Sequence, residues 1–346
     1  MKRTIIQYTT VVLAFLAGMI FMTYMTRMGN RDMTGDMAQA QLPVVYAEQD
    51  GVLYNEMHGY VEDMDGASMR DSVIGVSEDH KVGLALEKYN AQIKSVSYEV
   101  RSLDMSRLIE GGDDLQAEDD GKYLHISLTL KDLLTQGEEY LLVLKVQTED
   151  QDLVRFYSIL TYLGTNHVQD CVDFAQRFHE MTLTGDSDGV LNYLEQDGSM
   201  DGKNLGYINI HSRSGPVTWG DMQVVETGET SLRFTELESD ITALTMEYQV
   251  TNTETSEQYQ VREAYRLRYT STRIYLLAYE RWTDKILEPG RQLVEDGKLS
   301  FGIQSREPVY MKNTEENVVG FVEQGQLWSY DYGQNRLSLV YGFTDG

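Results

Sequence analysis

Residues 243–269 read ALTMEYQVTNTETSEQYQVREAYRLRY. Leu244, Met246, Tyr248 and Val250 alternate with Ala243, Thr245, Glu247 and Gln249. After the polar loop 252–257, Tyr259, Val261, Tyr265, Leu267 and Tyr269 alternate with Arg262, Arg266 and Arg268. Successive strand side chains point to opposite faces, so each half presents one apolar and one polar face. Two such halves joined by a short polar loop predict a long antiparallel hairpin buried on one side. Residues 274–282 add a third strand. Arg262, Arg266 and Arg268 face Glu247 and its neighbours across the solvated side, where such pairs are worth roughly tenths of a kcal/mol each.

Upstream the period changes. Cys171, Phe174, Ala175, Phe178 and Met181 recur at the spacing of one helix face, and a second short helix follows around 189–194. Helices followed by long antiparallel strands, over roughly 168–283, resemble the NTF2-like cone fold, so 166–285 is read as an α+β domain of that kind. Residues 42–165 carry about seven short strands, at 44–48, 52–57, 81–86, 93–101, 123–130, 139–147 and 153–163. Gln49-Asp50-Gly51 marks a hairpin, and breaks fall at 110–113, 118–121 and 148–152. This spacing resembles a β-sandwich of the immunoglobulin or fibronectin-III type. In 286–346, the runs Gly325-Gln326-Leu327-Trp328-Ser329-Tyr330-Asp331 and Asn335-Arg336-Leu337-Ser338-Leu339-Val340 resemble one β-propeller blade. One blade cannot close a ring, so this segment is read either as the truncated start of a longer region, the favoured reading, or as an extra sheet on the preceding domain.

The first residues read differently. Residues 5–25 hold no charge and would span about 31 Å as a helix, against a hydrocarbon core of about 30 Å. Lys2 and Arg3 precede the run, Arg27 follows it, and Tyr8 and Tyr24 sit near its ends. Residues 1–4 are read as a cytoplasmic tail, 5–25 as a transmembrane helix and 26–41 as a tether. Ala38-Gln39-Ala40 has the form of a cleavage site but lies well beyond the apolar run. The expected fold class is therefore mainly β with a small α+β part behind an N-terminal transmembrane helix. The bulk of the chain is placed on the extracellular side, with the N-terminus in the cytoplasm. The full set of features resembles uncharacterised single-pass envelope proteins of anaerobic Gram-positive bacteria, which implies location and architecture only.

Net charge is −26; the four basic residues among the first 31, with no acids there, leave −30 for the rest (−26 less 4). That excludes nucleic acid as a partner and disfavours anionic lipid headgroups. The single Cys171 excludes an intramolecular disulfide.

Chemistry is sparse. Thr184 to Glu195 has the outline of a calcium loop, with Asp186, Asp188, Gly189 and Glu195 at the third, fifth, sixth and twelfth positions. Thr184 stands where the first carboxylate is needed; the competing reading makes Asp186 or Asp188 a helix cap. Calcium through Asp186, Asp188 and Glu195 is the one weak metal candidate, and no other cofactor is expected. His167 and Cys171 lack further zinc ligands nearby, and Asp113-Asp114 and Asp119-Asp120 read as turn formers. No nucleophile elbow, phosphate loop or dinucleotide motif occurs. The expected function is a membrane-anchored, non-enzymatic binding or scaffolding protein with a cell-wall or protein partner. The alternatives are a cell-wall glycan hydrolase and a calcium-dependent adhesion or sensor module.

Overall fold

The computed structural model describes residues 42–342 except 70–71, 90, 114, 132, 150–152, 166, 198–204, 291–292 and 296–297, together with Gly18, Met19 and Met22. Residues 1–39 and 40–346 form two units. The 5–25 span lies outside the described residues, those three apart, and among the described residues no helix is long and apolar enough to cross a membrane. The chain is mainly β, built from several largely antiparallel sheets.

Ten strands form the first part: β1 Val44–Gln49, β2 Val52–His58, β3 Val73–Ser77, β4 Lys81–Glu87, β5 Ile93–Ser102, β6 Leu108–Gly112, β7 Ala117–Asp119, β8 Tyr123–Thr129, β9 Glu139–Thr148 and β10 Leu153–Gly164. Sheet I has the order β2-β1-β4-β8-β7 and sheet II the order β3-β10-β9-β5-β6. All pairs are antiparallel except β3 with β10. The β1–β2 turn takes positive φ at Asp50 and Gly51, 51° and 81°, the primed geometry that matches strand twist. The interiors of both sheets contribute to one apolar cluster that includes Val45, Leu84, Ile126, Val100, Leu144 and Phe156.

Segment 59–69 lies against β9 and β10: a Cβ on Gly66 would come within 2.2 Å of Leu141, and one on Gly59 within 2.3 Å of Val154. This cover explains why β9 and β10 are buried along nearly their whole length. Glu110-Gly111-Gly112, expected as a break, is instead the end of β6. Glu110 is buried there, accepting hydrogen bonds from Tyr98 Oη at 3.0 Å and the Lys131 amide at 2.8 Å. Those two donors satisfy a carboxylate that the sequence places at the start of a break.

Helix α1, Val168–Thr184, buries Val168, Cys171, Val172, Phe174, Ala175, Phe178, His179 and Thr182. Gly185 ends it in the left-handed region at φ 77°, its amide reaching the Met181 and Thr182 carbonyls. Helix α2, Ser187–Leu191, and helix α3, Ser214–Val217, follow. The next five strands are β11 Tyr207–Asn209, β12 Val224–Leu237, β13 Ile241–Asn252, β14 Gln258–Tyr269 and β15 Ile274–Lys285. They make sheet III in the order β11-β15-β14-β13-β12. Phe178 packs against Tyr265 and Tyr279, so α1 lies on the inner face of sheet III. Sheets I and II and this layer share a single continuous core.

The joint between them is polar as well as apolar. Tyr54 of β2 meets Phe234 of β12 edge to face at 5.1 Å. Beside it, Asn55 is fully buried at φ 52°, in the bulge where the β1–β2 register shifts. Its amide nitrogen donates to the Val73 carbonyl and its oxygen accepts from the Phe234 amide, both at 2.6 Å.

Two short strands, β16 Val294–Glu295 and β17 Lys298–Leu299, precede sheet IV. Sheet IV runs in the order β18 Val309–Lys312, β19 Val318–Glu323, β20 Gln326–Asp331 and β21 Arg336–Tyr341. One face buries Val319, Phe321, Trp328, Tyr330 and Leu337 with Leu287 and Leu293.

Candidate functional site

The inner face of β14 carries Tyr259, Val261, Glu263, Tyr265 and Leu267, so a carboxylate interrupts an apolar series. Glu263 is 0% exposed. Its Oε2 accepts from Tyr265 Oη at 2.6 Å and its Oε1 from Tyr279 Oη at 2.7 Å. Nδ1 of His179, from α1, lies 3.2 Å from Oε2, and His179 Nε2 lies 3.3 Å from Glu226 Oε2 on β12. Tyr248 packs edge-on to the imidazole, 4.5 Å between centroids.

A neutral imidazole has only one N–H, so a carboxylate at each nitrogen calls for the doubly protonated ring. Burial lowers the His179 pKa, but hydrogen bonds and charge from Glu263 and then Glu226 outweigh burial and raise it. Burial likewise pushes Glu263 up, and the His179 contact, the Arg281 charge and the Tyr265 hydroxyl bring it below the ordinary carboxylate value.

Arg281 completes the cluster. It is also 0% exposed and is the register partner of Glu263 on β15. Its guanidinium donates to the Val217 carbonyl at 2.7 Å and the Pro216 carbonyl at 2.9 Å, and lies 3.9 Å over the Trp219 ring. It thereby caps the last carbonyls of α3. Two cations, His179 and Arg281, thus balance two carboxylates, Glu263 and Glu226, which is the condition for burying charge.

Chemically this is a lock rather than an acid–base pair open to a solute. Glu263 is enclosed, both its oxygens already accept hydrogen bonds, and its pKa moves away from the range useful to a general base. The cluster ties the helix, four strands and the α3 turn to one carboxylate.

The calcium-loop residues take other roles. Asp186 caps α2, its Oδ1 accepting from the Gly189 amide at 2.9 Å. Asp188 lies exposed in the first turn of α2, with its carbonyl bonded to the Asn192 side chain. Glu195 is exposed and works through its backbone, donating to the Ile210 carbonyl and accepting from His211 Nδ1. Among the described residues no three His, Cys, Asp or Glu side chains gather as a metal requires, and the structure does not bring Asp186, Asp188 and Glu195 together as such a group. Cys171 is buried and His167 stacks on Tyr269 at 3.5 Å.

Sequence reasoning missed Glu263, Arg281 and His179 as a group. The available signal was parity: Glu263 and Arg281 fall on the inward positions of their strands, beside Tyr265 and Tyr279.

No family model matches the chain, and no curated protein does. A crystallised engineered protein is similar over 38% of this chain and 22% of its own, at 14% identity and a TM-score of 0.23.

Proposed function

We propose that the chain is a membrane-anchored, extracytoplasmic binding or scaffolding protein of the cell envelope, with a protein partner and no catalytic site of its own. Residues 5–25, uncharged and flanked by basic residues, support the anchor with the N-terminus in the cytoplasm. The strongly acidic remainder suits an aqueous exterior.

The finer architecture is part of the same reading. Sheet I contains β1-β4-β8-β7 and sheet II contains β10-β9-β5-β6, which supports an immunoglobulin-like order with β2 and the parallel β3 added at the edges. Helix α1 against the inner face of sheet III supports the NTF2-like reading, and the four-strand meander of sheet IV supports the blade.

One observation carries the binding function. On the side of sheet IV away from its core, Val309, Val322, Leu327 and Tyr341 stand in register across all four strands. They are 75%, 49%, 39% and 62% exposed. A continuous apolar row on a sheet face fits the apolar surface of another protein better than a hydrated glycan.

The test is affinity capture of the full-length protein from native membranes, beside Val322→Glu and Leu327→Glu forms that keep their strand content. A protein retained by the parent and lost by both variants is the expected outcome. Equal retention by the variants, or no protein retained by the parent, would overturn the reading. Protease treatment of intact cells should remove the bulk of the chain.

A further inference from the structure

The β14–β15 turn holds a feature that the binding face does not use. Thr270 Oγ1 accepts from the Arg273 amide at 3.2 Å and donates to the Arg273 carbonyl at 2.7 Å, while the Thr270 amide donates to the same carbonyl at 3.1 Å. The backbone beneath Arg273 is therefore fixed by three bonds. Its guanidinium lies 3.9 Å from the Tyr275 ring centroid. Arg268, the register partner of Tyr275 across the hairpin, places its own guanidinium 5.4 Å from the same centroid.

Two exposed cations thus converge on one ring. Among the described residues neither has a carboxylate within 4.0 Å, although the chain carries 55 acidic residues. Arg266, two positions away, shows the usual outcome on this face: a two-pronged pair with Glu236, 2.9 Å on each arm. The nearest acid along the neighbouring turn, Asp240, bonds its side chain to the Ser239 hydroxyl and its carbonyl to the Tyr269 amide.

We propose that Arg268, Arg273 and Tyr275 form a binding site for a phosphoryl group. A guanidinium drawn to a ring by its quadrupole spends none of its N–H groups on a hydrogen bond to it and keeps them for the bidentate fork that grips oxyanions. Two forks need several acceptor oxygens and two negative charges. A phosphoryl dianion supplies both; a single carboxylate serves one fork. The ring and the fixed turn restrict side chains that would otherwise lose rotamer freedom on binding.

The experiment is calorimetric titration of the full chain, in non-ionic detergent at low salt, with pyrophosphate, inorganic phosphate, glycerol phosphate and acetate. Pyrophosphate should bind saturably and acetate should not, and added salt should weaken binding. Arg268→Ala and Arg273→Ala should each weaken pyrophosphate binding about tenfold or more. Arg266→Ala, on the same strand, should leave it unchanged. Preference for glycerol phosphate would mark the ligand as an organic phosphate monoester, and preference for pyrophosphate or phosphate as a free inorganic one; each supports the site when lost in the variant carrying both Arg268→Ala and Arg273→Ala. No saturable binding of any phosphoryl probe, acetate as tight as pyrophosphate, or unchanged binding by the double variant would overturn it.

Discussion

The side-chain oxygen of Asn55 accepts a hydrogen bond from the backbone amide of Phe234, 2.6 Å away and 179 residues further along the chain. The same side chain holds the Val73 carbonyl. One amide group therefore joins a strand of sheet I and a strand of sheet II to the edge of sheet III, from a left-handed backbone position that asparagine tolerates better than most residues.

Replacing Asn55 with alanine should be among the costliest single changes in the molecule. It leaves a buried donor and a buried acceptor unpaired, a loss of about 2–4 kcal/mol. Denaturant unfolding should report a lower midpoint, and Asn55→Asp should not restore it because a carboxylate cannot donate to the Val73 carbonyl. A midpoint within experimental scatter of the parent would show that the joint does not depend on this bond.

The Glu263 cluster should impose a pH window on stability. The His179 pKa is raised above 6.5, so its contribution is fully present below that value and lost as pH rises through the folded-state pKa. The Glu263 pKa is lowered below 4.5, so its contribution is present above that value and lost as pH falls through the folded-state pKa. The cluster is strongest between the two ordinary values. In His179→Gln the alkaline decline should flatten, as read from unfolding midpoints across pH. Glu263→Ala, which removes the buried carboxylate that faces His179 Nδ1 and accepts from two tyrosine hydroxyls, should cost about 3–5 kcal/mol.

Asp186 separates a cap from a metal ligand. Asp186→Ala should lower stability by about 1 kcal/mol through loss of the bond to the Gly189 amide. The deficit should be the same with calcium and with chelator. A calcium-dependent difference in unfolding midpoint, present in the parent and absent in the variant, would favour the metal ligand over the cap.

Glu323 should titrate far from its usual range. Burial, and then the charge of Asp284, push its pKa up to about 7. Between 4.5 and about 7 the folded form holds this proton more tightly than the unfolded chain does, so stability falls as pH rises through that interval. Glu323→Gln should match the parent in acid and exceed it above neutrality. A carboxyl resonance titrating near 4.5 would contradict the assignment.

The β13–β14 hairpin was legible because one face is wet and the other dry, which writes the strand period directly into residues 243–269. Strand β3 was not: all of Val73 to Val76 is buried, so no alternation distinguishes its two sides. Strand β12 hid for a different reason. Its first half, Val-Val-Glu-Thr-Gly-Glu-Thr, has no apolar rhythm and contains a bulge at residues 228–230, and its pairing with β13 holds it in place. The mainly β class followed from such patterns, as did the face of α1. Glu263 was passed over because a lone carboxylate among apolar neighbours reads as an interruption. Its balance comes from His179, 84 residues earlier, and from Arg281 on the next strand, and that convergence is a property of the folded chain.

Strand β1 lies between β2 and β4 and runs antiparallel to both. Tension applied at its N-terminal end, along the strand axis, would load two ladders of hydrogen bonds side by side in shear. Bonds in that geometry share the load and yield together, whereas an edge strand peeled from its partner gives way one bond at a time. Sheet I thus resists a pull entering from the direction of residue 43 better than it would if β1 were an edge strand.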